Sequence, residues 1–199
     1  MRRIVVTEFV SLDGVMEEPR WTFQFERGPD GAKFKLDELF DSEALLLGRV
    51  TYQGFAQAWP SMGTDDFGKR MNSIRKYVVS STLTDAEATW GETTVIRGDV
   101  ATEIAKLKAE PGGDLLVEGS CQLAHTLTQH GLVDEYRLML FPIILGAGKR
   151  LFPDTMTEAA KLTLVDSKPD GDGVLLLTYH PAPAAEPAAD QPPAAAGPA

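Results

Sequence analysis

Short apolar, β-branched runs alternate along this chain with stretches of helical periodicity, and that alternation limits its possible folds more than any other feature. "RIVVTEFV" (3–10) reads as a strand. From Ala32 to Phe40, Leu36, Leu39 and Phe40 fall at i, i+3 and i+4 on one predicted helical face. "ALLLG" (44–48) is the next strand, after which Tyr52, Phe55, Ala56 and Trp59 repeat at helical spacing until Pro60, where the pattern is expected to stop. Phe67, Met71 and Ile74 predict a helix leading into the strand "KYVVSS" (76–81), followed by a weaker strand at "TTVIR" (93–97). Asp99 is a predicted N-cap for a helix with Ile104 and Leu107 facing inward, ended by "PGG" at 111–113. "DLLVE" (114–118) runs into a helix from Ser120, itself a predicted N-cap, with Leu123 and Leu127 a turn apart and Gly131 at its end. "DEYRLMLF" (134–141), "KLTLVD" (161–166) and "GVLLLTYH" (173–180) complete the series. Strands alternating with helices imply an α/β domain whose largely parallel sheet, of about eight strands, is covered on both faces. The last strands have no helix between them, which implies antiparallel pairing at one edge.

At 199 residues and 43% hydrophobic, the chain can close one sizeable core. One domain over 1–180 is expected, followed by an Ala/Pro-rich segment (181–199) with no large apolar side chain, expected to be disordered. The net charge of −10 and the absence of a basic stripe argue against a nucleic-acid partner, because backbone affinity needs clustered Lys and Arg. A lone Cys121 with three His leaves no disulfide framework and no cluster at metal-ligand spacing, so no metal site is expected. The N-terminal apolar run is interrupted by Glu8 and too short for a signal peptide, and no segment reaches bilayer-spanning length. A soluble cytoplasmic protein with no membrane partner is the expectation.

Ligands of parallel sheets collect at the carboxyl ends of strands, which directs attention to the strand-to-helix junctions. "LLLGRVTY" offers Gly48, where a side chain would block close approach, Arg49 as a cation for phosphate, and Thr51 in the first helical turn. "LLVEGSCQL" offers Gly119 and the Ser120 hydroxyl. Free N–H groups and the helix dipole make each junction an anion site, and two together suit a diphosphate. A strand break beside a solvated charge would use the same residues. Ser80, Ser81 and Thr82 in "VVSSTL" could meet a ribose or its phosphate, or cap a turn. In "SLDGV" (11–15), Asp-Gly is a turn signal, or else Gly14 lets a loop fold over a flat ring beside the Asp13 carboxylate. Trp21, Phe23 and Phe25 could wall a substrate or pack on the core. His125, His130 and His180 read as packing or surface residues, and Gly146 and Gly148 as a tight turn.

"SLDG", "GRVTY", "SS" and "VEG", in this order and spacing, together with "FPIILGAGKRLF" (141–152), resemble the dihydrofolate-reductase-like superfamily. Within it, the likeness is to the reductase domain of bacterial riboflavin-biosynthesis deaminase-reductases and their stand-alone relatives. The resemblance implies a three-layer α/β/α fold with a mostly parallel eight-stranded sheet and NADPH extended along its strand ends. It implies that Gly48, Arg49 and Thr51 hold the diphosphate and adenosine side. Ser80, Ser81 and Thr82 would meet the adenine ribose and its 2′-phosphate, and Gly119, Ser120 and Cys121 would form the second phosphate junction. Leu12, Asp13 and Gly14 would border the nicotinamide, with Asp13 and Glu118 facing the substrate as the candidate catalytic residues. The implied reaction is hydride transfer to a small heterocycle, imine or carbonyl, similar to the uracil-reducing step of riboflavin biosynthesis. A non-catalytic NADP(H)-binding module is the alternative, and a homodimer is implied, with "GVLLLTYH" as its candidate edge. The chain departs from the family in having Ser120 where Gly is frequent. It also has Ala32 near the position of the helix carboxylate of true dihydrofolate reductases, and no zinc-deaminase motif, so the deaminase half is expected to be absent.

Overall fold

A computed structural model describes residues 1–156 and 159–183. Its sheet has eight strands: β1 (Ile4–Ser11), β2 (Ser42–Gly48), β3 (Arg75–Val79), β4 (Thr93–Ile96), β5 (Asp114–Glu118), β6 (Glu135–Phe141), β7 (Leu162–Asp170) and β8 (Val174–Pro181). In space the order is β4-β3-β2-β5-β1-β6-β8-β7. The pairings from β4 across to β6 are parallel, whereas β8 runs antiparallel to both β6 and β7. The Ala/Pro segment expected to be disordered lies, from residue 184 onward, outside the described residues.

The apolar runs alternate their side chains between two cores, as strands buried on both faces must. Ile4, Val6, Leu46, Leu115 and Val117 pack under α4 (Val100–Ala109) and α5 (Cys121–Gln129), through Ile104, Leu107, Leu123 and Leu127. Val5, Leu45, Leu47 and Leu116 pack under α1 (Pro29–Asp41), α2 (Arg49–Met62) and α3 (Asp66–Ser73), through Leu39, Tyr52 and Met71. Leu45, Leu46 and Leu47 are all fully buried, each contributing roughly 1.5–3 kcal/mol. The Asp99 side chain caps α4 by accepting from the Thr102 N–H at 2.9 Å, as predicted.

Several expectations are corrected. Pro60 does not end its helix: α2 runs to Met62, because a proline in the last turn forfeits one hydrogen bond while its fixed φ remains helical. The buried face of α1 is not the predicted one. Leu39 is buried, but Leu36 and Phe40 are 37% and 52% exposed, and the charged residues Lys35 and Glu38 take their place inside. Ser120 does not cap α5 with its side chain. "GVLLLTYH" is not the sheet edge, since β7 covers β8 and is itself the exposed outer strand.

One topological feature positions the site. β2 and β5 are neighbours, yet β2 continues into α2 on one face and β5 into α5 on the other. The diverging connections open a crevice at the carboxyl ends of these strands, where α/β sheets bind ligands.

Candidate functional site

A cleft of 1850 Å³ occupies this crevice. Gly48, Arg49, Thr51, Ser80, Ser81, Thr82, Gly119, Ser120, Cys121 and Glu118 all line it. Residues separated by up to 73 positions thus converge on one surface because their strands end side by side.

The two glycine junctions are tied to each other. The Gly48 N–H donates to Ser120 Oγ at 2.9 Å, and the Ser120 N–H donates to Thr51 Oγ1 at 3.0 Å. The hydroxyls therefore lock β2–α2 against β5–α5. Gly119 and Ser120 both adopt left-handed conformations (φ +63° each), and a Cβ on Gly119 would lie 3.1 Å from Thr51 Cγ2. Gly48 differs: its φ is −80°, and an added Cβ would meet only Ser120, at 3.7 Å. The protein itself does not require a glycine there, so its lack of a side chain leaves room on the cleft side.

Helices α3 and α4 are capped by the carboxylates of Asp65 and Asp99, whereas α2 and α5 have no side-chain cap. The first-turn N–H groups of α2 and α5 consequently face the cleft without an intrahelical acceptor. Arg49 is exposed, donates a hydrogen bond to Gln53 Oε1 (3.0 Å), and makes no ion pair among the described residues. Two dipole ends and one unpaired guanidinium make this wall suited to an anion.

Other predicted residues are placed elsewhere. Ser80 Oγ accepts from the Thr82 and Leu83 N–H groups (3.1 and 2.9 Å), so it shapes the turn, while Ser81 and Thr82 are exposed to the cleft. Leu12, Asp13 and Gly14 do not line the cleft. The Asp13 carboxylate accepts from Ser11 Oγ (2.7 Å) and from the Leu145 and Gly146 N–H groups (3.1 and 2.8 Å), which lower its pKa to about 2. That is opposite to what a general acid needs, and it identifies "SLDG" and "LGAG" as two halves of one pinned loop pair. Met16, Glu17 and Glu18, just beyond, do reach the cleft. Phe23 is 76% exposed on the cleft wall, while Trp21 and Phe25 pack on Phe141 (5.5 and 5.4 Å between centroids). The Cys121 thiol is pushed up in pKa by burial and lies 3.3 Å from His125 Nε2, which also meets the Arg150 carbonyl at 2.8 Å.

At the floor, Glu118 is joined by three residues that the sequence did not single out, Thr7, Lys35 and Glu38. Lys35 from α1 ion-pairs with Glu38 and with Glu118 (3.2 Å to the latter). Thr7 Oγ1 lies 3.1 Å from Lys35 Nζ and donates to Glu38 Oε1 at 2.8 Å. Burial opposes the Lys35 charge, but Glu118 and Glu38 outweigh it and raise its pKa above the ordinary lysine range. Thr7, Glu8, Lys35 and Glu118 all line the cleft. The available signal was a Lys35/Glu38 pair at i, i+3 on a helix whose apolar stripe is narrow.

Among the described residues no helix is long and apolar enough to cross a membrane, and no group of His, Cys, Asp and Glu could hold a metal ion. YyaP, an uncharacterized protein of Bacillus subtilis, is 32% identical over 187 residues, spanning 90% of this chain and 95% of its own. The solved structure of a Shewanella sp. PV-4 protein ascribed to riboflavin biosynthesis has a TM-score of 0.74 at 21% identity, covering 91% of this chain and 99% of the other. Dihydrofolate reductase from Enterococcus faecalis, solved with NADP(H), has a TM-score of 0.60 at 16% identity over 90% of this chain and 96% of its own. At these identities the two structures speak to the fold, which is the dihydrofolate-reductase-like three-layer α/β/α architecture. Residues 2–176 match the family described as the RibD C-terminal domain, and the chain belongs to that family.

Proposed function

We propose that this protein is a nicotinamide-dinucleotide-dependent reductase, with NADPH as the cofactor, acting on a small imine, carbonyl or heterocyclic substrate. The observation that carries the reading is the pairing of two helix N-termini lacking side-chain caps with Arg49, which makes no ion pair among the described residues, around one cleft. These residues fit a dinucleotide. The free N–H groups of α2 and α5 would take its diphosphate, Gly48 would allow its close approach, and Arg49 with Ser81 and Thr82 would meet the adenosine end. The Enterococcus faecalis reductase of the same fold was solved with NADP(H). When bound, the cofactor supplies a hydride.

The chain's own contribution is position and charge. Glu118 has one oxygen on Lys35 and the other free of any carboxylate-to-cation contact among the described residues, so it would accept from a substrate N–H or O–H. Lys35 holds that carboxylate in place. Phe9 and Phe23 would cover the apolar faces of the substrate.

The test is calorimetric titration of wild type and Arg49→Ala with NADPH and NADH. Wild type is expected to bind, NADPH more tightly, and Arg49→Ala to bind about tenfold or more weakly, the worth of one charge-assisted contact. No binding of either dinucleotide, or unchanged affinity in the variant, overturns the reading. Binding without reduction of any imine or carbonyl compound would instead indicate a dinucleotide-binding module.

A further inference from the structure

Glu8 is a buried acidic residue of the cleft that the proposed function does not use. It lies on β1 beside Thr7, but consecutive strand residues face opposite sides of the sheet. Thr7 joins the Lys35 cluster beneath α1, whereas Glu8 shares its face with Val6 and Val10, which pack with Leu123 and Ala124 of α5. The residue is 6% exposed, lines the cleft, and its Oε1 has no hydrogen-bond partner. It makes no ion pair among the described residues. The cation closest to its environment, Lys35, is already shared between Glu38 and Glu118. In the parallel register of β1 and β5 Thr7 stands opposite Glu118, so Glu8 is level with Gly119 at the base of the β5–α5 junction.

Burial without a cation strongly disfavours the ionised form of a carboxyl group, and a protein meets that cost by keeping the group neutral. A neutral carboxyl also has a proton to donate, which a carboxylate lacks. We propose that Glu8 meets the bound dinucleotide at the Gly119–Cys121 junction as a neutral carboxylic acid, donating its proton in a hydrogen bond, so that ligand binding is coupled to protonation of Glu8. The inference rests on the dinucleotide reading above. It explains how an acidic side chain can sit beside a site for a polyanion: neutral, it contributes a donor, and ionised, it repels the ligand in a poorly solvated pocket.

The groups around it act in both directions. Burial raises its pKa most, and Glu118 of β5 and Glu38 of α1 raise it further. Lys35 of α1 and the Gly119 N–H oppose them, and the net result is well above the ordinary carboxylate range. Cys121 of α5 also faces it, and its thiol is itself pushed up in pKa by burial first and then by Glu8.

Two measurements test the coupling. The first is the infrared difference spectrum of ligand-free wild type against Glu8→Gln at pH 7, which should contain a carboxylic-acid carbonyl band absent from the variant. The second is calorimetry with NADPH and NADH above pH 7, where the NADPH phosphate no longer titrates. Wild-type affinity for both should weaken by up to tenfold per pH unit once Glu8 ionises, with uptake of about one proton on binding. Glu8→Gln, which mimics the neutral acid, should bind with pH-independent affinity. Absence of the acid band, absence of proton uptake by wild type, or a wild-type pH profile in Glu8→Gln overturns the inference while leaving dinucleotide binding intact. No binding by either protein removes the dinucleotide reading and this one together.

Discussion

Lys76 is completely buried, with its ammonium 4.2 Å from the Trp90 ring centroid and donating to the Asn72 carbonyl at 2.9 Å. Burial, and then Arg70, push its pKa down to about 8 from 10.5. The folded protein therefore releases this proton before the unfolded chain does. The cost of the buried charge is full below about pH 8 and disappears as pH rises through the unfolded value. Stability is expected to rise by on the order of 3 kcal/mol across that window, and Lys76→Met to abolish the rise, as read by denaturant titrations at each pH. Gly48 makes a contrasting case. Because a Cβ there meets only Ser120 at 3.7 Å, Gly48→Ala should fold with stability within about 1 kcal/mol of wild type. It should nevertheless lose NADPH affinity by tenfold or more in calorimetry, since the methyl group occupies the space left for the ligand. Equal affinity would mean that the glycine serves only the backbone.

At the scale of elements, the site is held by contacts between loops and helix ends. The segment after β1 is zipped to the segment after β6 by the Leu12 N–H to Ile143 carbonyl bond (2.8 Å), the Met16 N–H to Lys149 carbonyl bond (2.9 Å) and the Val15–Arg150 bridge. Asp13 closes the pair. Asp13→Asn should lower hydrogen-exchange protection at Leu145 and Gly146 without impairing dinucleotide binding, and acidification through pH 4 toward pH 2 should lower the protection in wild type, measured against the intrinsic rate at each pH. Unchanged protection would show that the loop is held by its backbone bonds alone. The two junctions depend likewise on Thr51. Thr51→Val removes the acceptor for the Ser120 N–H and should cost about 1 kcal/mol in denaturation experiments, with weaker NADPH binding as the junctions part. Helix α1 shows why part of this scale escaped the sequence. Periodicity placed Leu36, Leu39 and Phe40 on its buried face, but the helix turns Lys35 and Glu38 inward because Glu118 and Thr7 wait there to satisfy them. Those partners come from distant strands, and no local pattern reveals them.

At the scale of the molecule, β7 is one of the two edges of the sheet, β4 being the other, and its Leu164 and Val165 are 50% and 53% exposed. The homodimer implied by the family resemblance is proposed to use this strand rather than β8, because an unpaired edge with exposed apolar residues is a template for a second copy. Sedimentation velocity should show a wild-type dimer and a Leu164→Glu, Val165→Glu monomer; a monomeric wild type removes the proposal. The architecture itself was largely legible. Short apolar runs such as "ALLLG" and "DLLVE", bounded by turn and cap residues, read as strands buried on both faces, and the caps and glycines between them mark the helices. From local pattern alone the chain determined its α/β class, its strand count and the two glycine junctions that reach the cleft. Tertiary structure alone decided that Ser120 and Thr51 bind each other, that Asp13 pins a loop instead of facing the cleft, that Lys35 and Glu118 pair at its floor, and that Glu8 is buried in its wall without an ion-pair partner among the described residues. Strand and helix periodicity is written in neighbouring residues, whereas the partner and the burial of a charged group are set by elements brought beside it only when the sheet closes.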